Sequence, residues 1–155
     1  MYVLSLEGED IKKFMNCLLK EESFDIFRVH SCDIVTFCTF KIDGTPNKDY
    51  FEDGEVPDKK CPWSLIKPAV FSLIKGKRLP KLLKLVLAVP ADKLPLLHDN
   101  LQEAFLNISY ESGKINFTTG TLQKEFRLDK QHDAAFENYI KKLFKKLGLT
   151  ATEQR

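Results

Sequence analysis

The residues that could carry chemistry are few and scattered. Cysteines stand at 17, 32, 38 and 61, and histidines at 30, 98 and 132. A structural zinc site would need His30, Cys32, Cys38 and Cys61 together. These four lack the close Cys–Cys or His–His spacing that preorganises tetrahedral ligands, so no metal is expected. No cysteine pair has the two-residue spacing of a redox motif, so four free thiols are expected. No histidine lies in an HExxH pattern or beside a candidate nucleophile. Gly113-Lys114 lacks the upstream glycine and following hydroxyl of a phosphate loop. Asp43-Gly44 reads as a turn rather than as a general base. These absences exclude the common catalytic motifs and point to no cofactor.

Two segments stand out as candidate binding sites. Lys75, Lys77, Arg78, Lys81 and Lys84 crowd ten residues that contain no acid. Clustered cations of this kind neutralise phosphates, which makes nucleic acid a candidate partner. Lysines at a helix C-terminus also suit the helix dipole without any ligand. The second segment is the apolar run 34–42. Read as one strand, it places Ile34, Thr36, Cys38, Phe40 and Ile42 on one face and Val35, Phe37, Thr39 and Lys41 on the other. Both faces are largely apolar, so something must cover the second. Residues 45–62 could do so. A protein partner or a second copy could instead dock there, with Val35 and Phe37 at the contact.

The elements that position these residues follow from periodicity. Ile11, Phe14, Met15, Leu18 and Leu19 define one face of a helix over 9–21. Phe136, Tyr139, Ile140, Leu143, Phe144 and Leu147 define another over 132–147, ended by Gly148. Further helices are expected over 64–75 and 92–101. Strands are expected over 2–6, 24–30, 34–42, 48–51, 83–89, 105–110, 115–119 and 122–128, with turns at 31–33, 43–44 and 112–114. The expected class is α+β, mainly antiparallel, with helices packed on one face of the sheet.

This order is stated twice. Strand, helix, three strands and a helix run from 1 to 76 and again from 83 to 148. Phe24 and Ile34 recur as Phe105 and Ile115 at a spacing of 81, and Ile11 and Phe14 as Leu94 and Leu97 at 83. The chain reads as a single domain over 1–149 built from two related halves, with residues 150–155 as a flexible tail. Its charge is uneven: residues 1–62 hold 13 acids and 8 bases, and residues 63–155 hold 9 acids and 16 bases. At 155 residues and 43% hydrophobic, the chain has material for a full core. The apolar stretches are too short to span a membrane. No basic region followed by an apolar one opens the chain, so a soluble, cytoplasmic protein is expected.

Resemblances extend this reading. The stretch VLAVPADKLPLLHDNLQEAFLNISYESGKINFTTG, residues 86–120, is similar in pattern to a half-domain of DNA sliding clamps. The tandem order also resembles the two halves of the TATA-binding-protein fold. These resemblances imply a clamp-like architecture and little about function. The phrases IVTFCTFKIDG (34–44), IKGKRLP (74–80), LKLVLAV (83–89) and TTGT (118–121) look like an uncharacterised bacterial family of unknown function, over nearly the whole chain. That resemblance implies a small bacterial protein and no particular activity. Residues and resemblances together lead to the expectation of a non-catalytic protein-binding or regulatory module. A nucleic-acid binder using the 75–84 segment is the first alternative, and an enzyme of unknown class the second.

Overall fold

The computed structural model describes residues 2–57, 59–74 and 80–154. Its elements are β1 (Val3–Glu7), α1 (Glu9–Leu19), β2 (Arg28–Val35), β3 (Thr39–Ile42), α2 (Trp63–Ile74), β4 (Leu82–Ala88), α3 (Leu94–Leu97), β5 (Leu101–Glu111), β6 (Lys114–Gln123), α4 (Gln131–Lys146) and β7 (Thr152–Gln154). The strands form one seven-stranded sheet in the order β3-β2-β4-β5-β6-β1-β7. Every pairing is antiparallel. The class is α+β, as the periodicity predicts.

Alternation along the strands decides where the core sits. Ala104, Leu106, Ile108 and Tyr110 of β5 are buried, while Phe105, Asn107 and Ser109 between them are half-buried. β4 buries Leu83, Leu85 and Leu87 in the same way. The buried face receives the helices: α1 packs on β1, α2 on β2, α3 on β5 and α4 on β6. Aromatic rings fill the centre, with Phe117 edge-on to both Phe14 and Phe144 at 4.8 Å. Trp63, fully buried at the start of α2, donates its indole N–H to the Leu18 carbonyl at 2.8 Å and so fixes α2 against α1.

Several elements differ from the sequence expectation, each for a physical reason. The run 34–42 is a hairpin. Pairing passes through Ser31, Cys32 and Asp33, where a turn was expected, and the chain reverses at Thr36–Cys38. The reversal carries Ile34, Phe40 and Ile42 to the core side together, so the two apolar faces of the expected strand collapse onto one. In place of the expected strand 48–51 stands a single 3-10 turn, Lys48–Tyr50. The expected helix 92–101 shrinks to four residues, because β5 already begins at Leu101. β6 runs through Gly120 to Gln123, and the rest of the expected strand 122–128, residues 124–128, is a loop. Residues 152–154, expected in a tail, pair with β1 as β7.

The two stretches expected to be related halves each contain a hairpin, β2–β3 and β5–β6, but their other pairings differ. β4 lies beside β5 of its own half, whereas β1 lies between β6 and β7, four strands from β2. Phe24, the counterpart of Phe105 by spacing, sits in the turn before β2 rather than in a strand. Among the described residues, no helix is long and apolar enough to cross a membrane.

Candidate binding pocket at the end of β4

β4 is central, with β2 and β5 on either side. Near its C-terminal end both neighbours are irregular. β2 slips between Val29 and Ser31, leaving His30 unpaired, and β5 slips between Leu101 and Glu103, leaving Gln102 unpaired. Such bulges twist a strand and re-aim its side chains. His30 and Gln102 both line a cavity of about 470 Å³ whose floor includes Ala88 and Phe105. This volume lies within the range of about 300–1,000 Å³ common for small-ligand sites.

A strap of chain completes one wall. Val29 donates to the Cys61 carbonyl, Cys61 to that of Gly44, and Trp63 to that of Phe27, each at 2.8 Å. The strap thus covers the edge of β2 beyond the end of β3 and brings Lys59 and Lys60 to the cavity. Gly44 permits this approach. Its φ is +74°, and a Cβ there would lie 1.9 Å from the Val29 carbonyl oxygen. Lys60 donates its Nζ to the Asp43 carbonyl and the Thr45 hydroxyl, both at 2.9 Å.

The pocket has two electrical poles. Arg28, His30, Lys59 and Lys60 come from β2 and the strap, whereas Asp92 and Glu103 come from the β4–α3 loop and β5. Among the described residues, Arg28, Lys59, Asp92 and Glu103 form no ion pair or side-chain hydrogen bond. The opposite charges therefore do not neutralise one another across the cavity. His30 meets the Phe105 ring edge-on, with centroids 5.3 Å apart, and adds an aromatic surface. A second, apolar cleft of about 150 Å³ shares Val89 and Pro90 with this pocket. Ile26, Phe27, Leu96, Leu97, Lys93 and Tyr139 complete it. Burial raises the Tyr139 hydroxyl pKa above its ordinary value.

The described residues among those singled out in the sequence lie elsewhere. Lys75, Lys77 and Arg78 fall outside the described residues. Lys81 is exposed just before β4, and its N–H donates to the Val35 carbonyl at 2.8 Å. Lys84 projects from the helix-free face, paired in register with Asp33 and Ser109. Val35 is half-buried at the end of β2, and Phe37 is 89% exposed at the hairpin tip, edge-on to Phe40. These positions lie at the opposite end of β4 from the pocket.

The thiols do not gather either. All four cysteines are free, and Cys17, Cys32 and Cys61 are buried. Burial pushes the Cys32 thiol up to about 12 and raises Cys17 and Cys61 as well. Among the described residues, no three His, Cys, Asp or Glu side chains form a metal-binding group. His132 is buried with Nδ1 unpartnered, next to Asp133, whose carboxylate accepts the Thr121 hydroxyl. That bond ties the start of α4 to β6. His98 accepts the Asn100 N–H at Nδ1.

One signal in the sequence marks the pocket. Core residues of β2 fall at Val29, Cys32 and Ile34, and those of β5 at Leu101, Ala104 and Leu106. Each set has a spacing of three where a strand requires two. The break in parity is the bulge, and the bulged residue lines the cavity.

Fold and site define an antiparallel α+β domain with a bipolar pocket at one end of its sheet. The chain belongs to the family of unknown function DUF5721, which matches residues 17–151. No curated protein and no solved structure matches it.

Proposed function

We propose that the protein is a non-catalytic binding module whose ligand occupies the pocket at the end of β4. The ligand class is bipolar, with an anionic group at one end and a cationic or hydrogen-bond-donating group at the other, as in an amino acid or a peptide terminus. The observation that carries this reading is that, among the described residues, neither Arg28 and Lys59 on one wall nor Asp92 and Glu103 on the other has an ion-pair partner. A half-buried, unpaired guanidinium pays a desolvation penalty that a carboxylate ligand relieves. Asp92 and Glu103 can then accept from an ammonium or amide. The binding role is supported by the buried thiols, which burial keeps protonated and poorly nucleophilic. A bacterial cytoplasm suits the chain, since free thiols persist in a reducing compartment.

The helix-free face weighs against a nucleic-acid role for Lys84. Cations and acids alternate across it, as Lys41–Asp33–Lys84 and Glu111–Lys114–Glu7, so among the described residues it presents no continuous positive stripe.

The test is a titration of the isotopically labelled full chain with a panel of free amino acids and dipeptides, followed by nuclear magnetic resonance. At least one member should shift the amides of His30, Ala88 and Phe105. Arg28→Ala should weaken that member about 10- to 100-fold, the loss expected of a charged hydrogen bond, and Lys84→Ala should leave it unchanged. A panel that moves no pocket resonance, or an affinity indifferent to Arg28→Ala, would overturn the reading.

A further inference from the structure

The pocket at the end of β4 holds more positive charge than negative. Three permanent cations line it, Arg28, Lys59 and Lys60, against two carboxylates, Asp92 and Glu103, even with His30 left out of the count. Among the described residues, none of the five has an ion pair. A ligand with one carboxylate and one ammonium would leave a cation of the wall unanswered. A charge that a ligand covers without answering loses its water and gains nothing in return.

The surplus is built into the strap. Lys60 donates its Nζ to two uncharged oxygens, the Asp43 carbonyl and the Thr45 hydroxyl, both at 2.9 Å. The Asp43 carboxylate accepts the Thr45 N–H at 2.8 Å instead. Lys60 therefore ties the strap to the turn after β3 and keeps its charge. Lys59 has a left-handed backbone, with φ +65°. Among the described residues other than glycine, only Ser112, in the β5–β6 turn, shares that conformation. It is costly for a residue with a long side chain, and such strain gathers at functional sites. Lys59 is exposed and adds nothing to the core, so what its position supplies is an ammonium at the cavity.

We infer that the ligand carries a second anionic group: it is an acidic amino acid, with its second carboxylate on Lys59. This rests on the bipolar reading above and narrows it. The groups then match one to one. The Arg28 guanidinium takes one carboxylate through its parallel N–H donors. Lys59 takes the other, with the charge of Lys60 beside it. A single ammonium has three N–H donors and can serve both Asp92 and Glu103. Three cations and two carboxylates leave the site at +1, and the ligand's net charge of about −1 at neutral pH cancels it.

Nuclear magnetic resonance titrations of the labelled full chain with glutamate, aspartate, glutamine, asparagine and alanine test the inference. At neutral pH, glutamate or aspartate should bind about 10-fold or more tightly than its own amide, the difference expected of one charged hydrogen bond. Acid and amide have the same size and shape, so the comparison isolates the second charge. Lys59→Gln should cut that preference to within about threefold. The side chain is exposed, so the unfolding midpoint should not move, which separates loss of contact from loss of fold. Amides that bind as tightly as the acids would overturn the inference and leave the bipolar reading standing. A preference for the acid that survives Lys59→Gln would overturn it as well. If neither acid moves a pocket resonance, the inference falls, and the remaining amino acids and dipeptides decide whether the bipolar reading falls with it.

Discussion

β4 enters the sheet at Leu82 and leaves it at Ala88, and its two ends differ. At Leu82 it lies between Val35 and Glu111 in regular register. At Ala88 it lies between Arg28 and Phe105, where each neighbour is bulged within a few residues. The regular end has its hydrogen bonds within the ladder and exposes one aromatic, Phe37, at a turn. The bulged end holds two cavities, four charged side chains with no ion pair among the described residues, and the β6–α4 loop with Phe126. Regular pairing leaves little room between strands, whereas a bulge breaks the alternation and turns side chains aside to make space. The bipolar pocket and the apolar cleft both sit at this irregular end.

The substitution that should damage the bulged end most is Gly44→Ala. The added methyl would meet the Val29 carbonyl oxygen at 1.9 Å, and the backbone is already at positive φ. Backbone against backbone cannot give way as a flexible side chain could. A loss of about 3–5 kcal/mol in unfolding free energy is expected, from overpacking and conformational strain together. Urea denaturation measures it. A loss below about 1 kcal/mol would mean that the strap shifts easily, and that the pocket wall it forms is not rigid.

Thiol chemistry compares the two ends directly. Cys38 is exposed at the regular end, and Cys61 is buried in the strap at the bulged end. An aromatic disulfide reagent should label Cys38 rapidly in the native protein. Cys61 should react only as fast as the strap opens, because burial both hides its sulfur and raises its pKa. Equal rates would show that the strap is no better ordered than the hairpin tip. Cys32, between the two ends in β2, adds a pH dependence. Its folded pKa is pushed up to about 12 from an ordinary 9.0, so the neutral thiol is favoured in the fold. The stability it contributes is complete below pH 9.0 and is lost as pH rises from there toward about 12. Cys32→Ala should flatten that fall in paired denaturation curves.

How much of this was legible in the sequence depends on which regularity a residue obeys. The α4 stripe from Phe136 to Leu147 and the alternation of 105–110 follow their periods without interruption, and both elements stand where expected. The run 34–42 misled because periodicity within a strand does not reveal a reversal when both flanks are apolar. Only the pairing of β2 with β3 determines that Ile34 and Phe40 share a face. The pocket was hidden for a related reason. Arg28, Asp92 and Glu103 are unremarkable charged residues in sequence, and they acquire meaning only when β2, β4 and β5 become neighbours across large separations along the chain. The one local trace was the spacing of three in Val29–Cys32 and Leu101–Ala104.

Phe37→Ser carries the smallest expected effect and tests the comparison from the other side. Phe37 is the most exposed large apolar side chain among the described residues, and by composition alone it is the natural anchor for a partner. Yet it stands on a three-residue reversal, Thr36–Cys38, with a ring contact to Phe40, and it lines neither the bipolar pocket nor the apolar cleft. An anchor without a matching pocket contributes little to a self-complementary interface. Losing one exposed ring should change the unfolding free energy by no more than about 0.5 kcal/mol, and it should leave the sedimentation behaviour of the chain unaltered. A loss above about 1 kcal/mol would mean that the Phe37–Phe40 ring contact orders the hairpin, and that the regular end of β4 depends on its tip.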